Sequence, residues 1–569
     1  MISKPIAWCW ALVYSGFIYT IAPESAAAGL IKLAETGDSE PNGTNTFFQI
    51  AQTPTLSENG QVAFYTDLRN NGFLQGCGIF VADGQSVRTV VRSDQPSPDL
   101  NGNFYTFNSM VGLNNTSQVF ETGLQNTLGG GLDNSGLYRV DTGVLTTLAK
   151  AGQTLPGEDA VFRSFNGVTV RINRSGQTAF QAKSSTNSAV ILRSAGTNLL
   201  AVAWIGQGSP DGNGTLGAMG DPSLNNSGTV AFTSLMAATN ASPYAILLDD
   251  GTGLRVLLRS GQALPDGSGQ FSLFPALDLA LNDSNQVAFV ANLSGTTAGP
   301  TDNLGLYRAQ RGALVQLARK SQFVPGGNGR FLDFGGQNYV TINNSGAVAF
   351  LADLTGTSGG TTDNAAIYLA TSAGITQIVR KGQQAPDGNG VFSKLGYPAL
   401  NNSNQIAFVA TLSGTRGGTT DNQAIYFVDD SLSIKPVIRA GQLFNGKTIA
   451  TPNFLDGPNY GGLSGLNDNS QIAVWSALNG NNAVFLWSNS DAQNGLKLLS
   501  AASLGKDVSV SFQAQAGTTN FLQEASTPQG PFVDVVSLVL VGNGLITTNF
   551  NETGGATNNS RFYRIRQLK

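Results

Sequence analysis

The sequence predicts an all-β protein, an eight-bladed β-propeller of four-stranded repeats about 57 residues long, followed by a small C-terminal β-module. Three observations carry this expectation. One phrase returns eight times at near-constant spacing, each period holds four short strand-like runs, and no segment of helical period interrupts them.

The phrase reads SENGQVAF at 57–64, NNTSQVFE at 114–121, NRSGQTAF at 173–180 and NNSGTVAF at 225–232. It continues as NDSNQVAF at 282–289, NNSGAVAF at 343–350, NNSNQIAF at 401–408 and NDNSQIAV at 467–474. Successive last residues lie 57, 59, 52, 57, 61, 58 and 66 apart. Asn or Ser opens the phrase, and Gly60, Gly176, Gly228, Gly346, Asn285 or Asn404 follows three residues later. That is the residue choice of a tight turn with positive φ near its end, a hairpin corner. The run behind it, such as Val287 to Ala291, is apolar at both alternating positions, which predicts a strand covered on both faces.

Three further strand-like runs complete the unit. In the seventh copy Ile425 to Val428 is followed, after Asp430, by Ile434 to Arg439; the sixth repeats this order and adds a short run around Val391 to Leu395. Sheets covered on both faces suit blades stacked in a ring, and the Ala of Val-Ala-Phe lets wedge-shaped blades approach closely. A unit of this length is too short for an immunoglobulin-type sandwich of roughly 100 residues. It is too long for one coil of a leucine-rich repeat, which leaves an open β-array as the rival arrangement. The Ile-x-x-Val-Arg type of strand occurs nine times, counting Leu30 to Glu35 and Leu496 to Ala501, against eight copies of the phrase. The surplus predicts that strands from the two ends meet in one shared blade, which removes the unpaired edges of an open stack.

Asn225-x-x-Gly228-x-x-Ala231-Phe232, with its copies at 173–180 and 343–350, resembles the bacterial tandem-repeat family named for its NxxGxxAF signature, of choice-of-anchor type. The likeness spans roughly residues 29–503, with departures at Ser57, at Phe120 and Glu121, and at Val474. It implies a secreted protein carrying one of several alternative C-terminal anchors. It brings no assigned activity and no catalytic residues.

The ends are read separately. Lys4, an apolar run from Ile6 to Ile21 and the small residues Ala26, Ala27 and Ala28 predict a signal peptide over 1–28, cut after Ala28, with an uncleaved anchor as the alternative. Cys9 lies too early in that run to be a lipidation point, so Cys77 is the one thiol left and no internal disulfide is expected. The repeats are expected over 29–503 and the C-terminal module over 504–569, where Val508 to Phe512 alternates and Val533 to Val541 is apolar. The closing Arg561 to Arg566 is similar to the last strand of short C-terminal modules on secreted bacterial proteins. That implies a sorting or attachment role, or else a plain accessory module. No long apolar tail follows, so no membrane span is expected in the mature chain.

Composition narrows the chemistry. The chain has no His, which excludes Ser/His/Asp and Cys/His nucleophile pairs and His-ligated zinc. Its net charge of −4 without basic blocks argues against nucleic acid. Asp211, Asp266 and Asp387 head Pro-Asp-Gly loops, with Asp99 in a looser relative; such loops are weak candidates for Ca²⁺, and ordinary turns explain them better. Asp133, Asp302, Asp363 and Asp421, each followed by Asn, are expected to bond loop backbone. Arg92, Lys150, Arg259, Arg319, Arg380 and Arg439 recur at one place in the unit. They either line a rim that attracts an anionic polymer or pair with neighbouring Asp, and pairing is favoured.

Catalysis would need a unit-specific carboxylate pair, and none stands out; Glu121, Glu158 and Asp159 break the repeat and are the least poor candidates. The expected role is a secreted or cell-surface, monomeric, non-enzymatic scaffold that binds protein or glycan through propeller loops, with no cofactor assigned. The alternatives are a carbohydrate-active hydrolase or lyase using Asp/Glu, and a structural envelope component.

Overall fold

The structure is a computed structural model that describes residues 8–14, 17–19, 29–157, 159–165, 170–186, 188–237, 243–274, 279–335, 339–454, 465–489, 497–504, 507–515, 519–525, 533–539, 545–552 and 561–568. Two compact units emerge, Leu30–Trp487 and a second formed by Met1–Gly29 with Ser488–Lys569.

The larger unit is an eight-bladed β-propeller. Blade 5 shows the plan. Gln270–Leu273 and Ala280–Leu281 share the innermost position, both antiparallel to Val287–Ser294; Leu304–Gln310 and Ala313–Arg319 follow outward. The innermost position is thus filled by two separate pieces of strand. Every residue from Val287 to Ala291 is buried, as the double-sided apolar run predicts.

The Ala of each phrase sits where one blade meets the next. Ala288 shares a core cluster with Phe350 and Tyr368 of blade 6, and Ala231 shares one with Phe289 and Tyr307 of blade 5. A small side chain on one sheet thus makes room for a stacked pair on its neighbour, Phe289 over Tyr307 at 5.8 Å between centroids. The same pairing sets Ala473 of blade 8 in one cluster with Phe64 and Phe80 of blade 1, so the ring is closed.

Closure uses the strand expected at the mature start. Leu30–Glu35 is the outermost strand of blade 8, antiparallel to Asn481–Ser488. Lys447 Nζ, from the inner side of that blade, meets Glu35 Oε1 at 2.6 Å, and Lys32 Nζ meets Oε2 at 3.0 Å. Burial alone would raise the Glu35 carboxyl, but these two ammonium groups hold it below its ordinary range.

Two expectations need correction. The surplus outer strand at Leu496 to Ala501 does not join the propeller: Lys497–Leu504 pairs with Asp507–Gln515 in the second unit, so the units divide after Trp487 and not after residue 503. A strand pattern alone does not say which edge it will meet. The second copy of the phrase is also one residue shorter in its turn. Asn114 N bonds Ser117 O, whereas Asn282 N bonds Gln286 O. The shortening moves Phe120 into the Phe position, stacked on Tyr138 at 6.1 Å, and Val119 into the Ala position opposite Gly112. Glu121 therefore replaces no Phe; it stands where blade 5 has Val290.

The described residues of the second unit form two sheets. One runs Phe17–Tyr19, Trp8–Tyr14, Arg561–Leu568, Thr519–Ala525, Val533–Val539, and the other Lys497–Leu504, Asp507–Gln515, Leu545–Glu552. The expected cleavage point after Ala28 lies outside the described residues. No helix among the described residues is long and apolar enough to cross a membrane.

Candidate functional site

At one end of the propeller the eight turns of the phrase surround a central cavity of about 270 Å³, lined by the aliphatic residue before each turn, from Leu56 to Leu466. Positive φ falls where the residue choice predicts it, at Gly60 (83°), Gly228 (85°), Asn285 (58°) and Asn404 (60°); Ser470 (58°) joins them. The opening Asn does more than start a turn. Asn225 Oδ1 accepts Thr229 N at 2.8 Å within its own turn, while Nδ2 crosses to the next blade and donates to Asn282 O at 2.9 Å. Asn114, Asn173, Asn282, Asn343, Asn401 and Asn467 make the same crossing, the last to Ser57 O. Seven buried amides thus lace eight blades, each satisfying a carbonyl that packing removes from water.

The missing link is at Ser57, whose hydroxyl turns back to Asn59 and Gln61. Asn59 N reaches Asn115 Oδ1 at 3.0 Å in its stead. Ser57→Asn is expected to complete the ring and raise stability by about 1 kcal/mol. Thermal melting reads the gain; an unchanged or lower midpoint would show that Asn59 already does the work.

The residue after each Asn forms a second circle, in which the blades differ. It carries Glu58, Asp283 and Asp468, four Asn and a single cation, Arg174. Arg174 Nη2 reaches Glu58 Oε1 at 3.0 Å and Asp468 Oδ2 at 2.5 Å, tying blade 3 to blades 1 and 8.

The opposite end carries the Pro-Asp-Gly loops, and its recurrent basic residues are paired. Arg259 meets Asp211 at 2.6 Å, Arg319 meets Asp266 at 2.6 Å, Arg439 meets Asp387 at 2.5 Å and Lys150 meets Asp99 at 2.8 Å. In blade 6, where Gly326 replaces the Asp, Arg380 meets Asp363 at 3.4 Å and donates to Asn328 O at 2.8 Å. Asp133, Asp363 and Asp421 bond loop backbone as their composition suggests, Asp133 Oδ2 accepting Gly129 N at 3.0 Å, whereas Asp302 meets Arg319 at 3.0 Å. The three Ca²⁺ candidates each face one guanidinium, and no cluster of three acidic or Cys ligands occurs among the described residues. An ion would have to displace a bound Arg at each.

These pairs set an acid limit. The Arg259 bond holds the Asp211 carboxyl well below its ordinary range, and the Thr252 hydroxyl, with Arg255, holds Asp250 at about 2. Both folded values lie under the unfolded ones, so their stabilisation is present above about pH 4 and is lost as pH falls through the folded values. Melting temperature should therefore fall steeply below about pH 4. In Asp211→Asn the fall should be shallower, and an identical pH profile would reject the assignment.

Sequence reasoning left the unit-specific candidates scattered, and the structure treats them differently. Glu158 lies outside the described residues, Asp159 is exposed, and Glu121 is buried where blade 2 meets blade 3. There Asn108 Nδ2 donates to Glu121 Oε2 at 3.2 Å, beside a cavity of about 1080 Å³. Tyr105, Asn134, Arg163 and Ser164 also line it, and none of these was singled out beforehand except Asn134. Among the described residues of this wall Glu121 is the sole carboxylate. Cys77 lies buried nearby, its Sγ 3.7 Å from Tyr105 O, and burial pushes its thiol up.

Comparison with known proteins places the chain. The sequence profile of a family of unknown function, DUF7453, matches residues 20–189, 182–377 and 337–490. The chain belongs to DUF7453. The three matches of this DUF7453 protein run across the propeller and overlap, as a tandem repeat requires. No curated protein matches it. Among solved structures, the β-propeller domain of the Trilobed protease from Pyrococcus furiosus is 9% identical, with 70% of this chain and 97% of that one covered and a TM-score of 0.37. The WD40 domain of SCAP from fission yeast is 10% identical over 81% and 97% of the two chains, with a TM-score of 0.36.

Proposed function

We propose that this DUF7453 protein is a secreted or cell-surface scaffold without catalytic activity, binding protein or glycan through its propeller loops. The observation that carries the reading is a contrast in where its charges go. The carboxylates that repeat from blade to blade are held by Arg, Lys or loop backbone. Tyr105, Glu121 and Arg163, by contrast, gather at a cavity between two blades. On a repeated frame, function resides where the copies differ. The leader-like first 28 residues and the resemblance to the anchor-bearing NxxGxxAF repeat family support export.

A hydrolase is the second reading, favoured by Glu121 alone, since acid–base cleavage of a glycosidic bond takes two facing carboxyl groups. The test is to express the full chain with its own leader and sequence the exported N-terminus. The purified protein is then screened on glycan and protein arrays and for polysaccharide turnover. Processing before Gly29 and saturable binding without turnover are expected. Turnover abolished by Glu121→Gln would overturn the scaffold reading.

A further inference from the structure

The residue after the buried aromatic or aliphatic side chain near the start of the inner strand differs around the ring: it is Phe48, Gly217, Ser272, Leu332, Ser393 and Ala450 in blades 1 and 4 to 8. In blades 2 and 3 it is Tyr105 and Arg163. Both line the cavity of about 1080 Å³, and Tyr105 presents a ring that is 58% exposed. Facing the same space is Glu121, only 8% exposed, at a place where blades 5, 6 and 7 carry Val290, Leu351 and Val409. Replacing an aliphatic wall residue by a carboxylate costs desolvation, so such a group is kept for what it bonds.

We propose that this cavity is a saccharide-binding site: Tyr105 is the platform for the C–H face of a sugar ring, and Glu121, oriented by Asn108, accepts from its hydroxyls. The inference deepens the scaffold reading and rests on it. Sugar hydroxyls both donate and accept, which suits a wall of amides and hydroxyls from Asn108, Asn134 and Ser164 around one carboxylate and one guanidinium. A peptide anchor would call for a clustered apolar pocket, but here Phe107 and Phe162 are sunk into the wall and Leu132 is the one large aliphatic left exposed. The volume lies just above the roughly 300–1,000 Å³ of small-ligand sites, enough for an oligosaccharide end.

The test is calorimetric titration of the full chain with cellohexaose, xylohexaose, laminarihexaose and chitohexaose, and with an unstructured peptide library as a separate arm. At least one hexaose should bind. Tyr105→Ala should weaken it about tenfold or more and Glu121→Gln severalfold, whereas Tyr105→Phe, which keeps the ring, should stay within about twofold. Leu332→Ala, the same strand position in blade 6, should change nothing. Hexaose binding untouched by Tyr105→Ala and Glu121→Gln would overturn this site and leave the scaffold reading standing. Tyr105-dependent binding of peptides alone would overturn the saccharide class. Binding of neither would overturn both.

Discussion

A variant lacking residues 1–35 should lose on the order of 5 kcal/mol of propeller stability, and should aggregate, while one lacking only 1–28 melts with the propeller transition unchanged. The difference between them is the closing strand. Leu30–Glu35 pairs along Asn481–Ser488 from Leu30↔Trp487 to Glu35↔Ala483, and Leu33 and Ala34 enter the core that joins blade 8 to blade 1. Losing it removes several hydrogen bonds and a buried Leu, and bares one edge of the Asn481–Ser488 strand. It also strips Lys447 of its carboxylate partner. Against a usual total of about 5–15 kcal/mol, that is a large fraction. Ala34→Asp tests the same seam without shortening the chain, since Ala34 is fully buried beside Phe47 and Phe64. It should cost about 3–5 kcal/mol. Circular dichroism melts and gel filtration read both outcomes, and a propeller transition indifferent to the loss of Leu30–Glu35 would deny that this strand closes the ring.

Asn225→Ala, a truncation in the ring of amides, should cost about 3 kcal/mol. The side chain holds Ser227 N at 3.1 Å and Thr229 N at 2.8 Å, and supplies the donor to Asn282 O. Thr229 and Asn282 are both buried, so neither Thr229 N nor Asn282 O regains water when the amide is gone. The neighbouring Ser227→Ala lies in the same turn but at an exposed position and should cost less than about 0.5 kcal/mol. Chemical denaturation of both variants separates the two cases. Equal midpoints would mean that the amide's crossing to the next blade adds nothing beyond what any turn residue provides.

Much of this architecture is legible in the chain because its causes are local. Positive φ at Gly228 or Asn285 follows from what a tight turn requires, and burial of Val287 to Ala291 follows from an apolar run without alternation. The closing strand Leu30–Glu35 is legible by its own pattern, although the surplus that prompted the count belongs to the other unit. What stays hidden depends on partners far away in sequence. Asn225 reads as a turn former, yet its Nδ2 acts 57 residues on, and nothing within the turn specifies that reach. The one-residue contraction at Asn114 to Ser117 places Glu121 at the wrong register in any alignment by eye, and only strand pairing restores it. Tyr105 and Arg163 look like ordinary variation until blades 2 and 3 are set side by side. Lys497–Leu504 carries the pattern of an outer strand but finds its edge in another unit.

The seam at blade 8 also imposes an order of events on biosynthesis. Leu30–Glu35 leaves the ribosome some 450 residues ahead of Asn481–Ser488, its mate. Throughout that interval the nascent polypeptide holds a strand without a berth and a stack that cannot become a circle. A chaperone meeting it en route would therefore handle an open, still-threadable form, and the finished torus would first exist once Asn481–Ser488 has emerged.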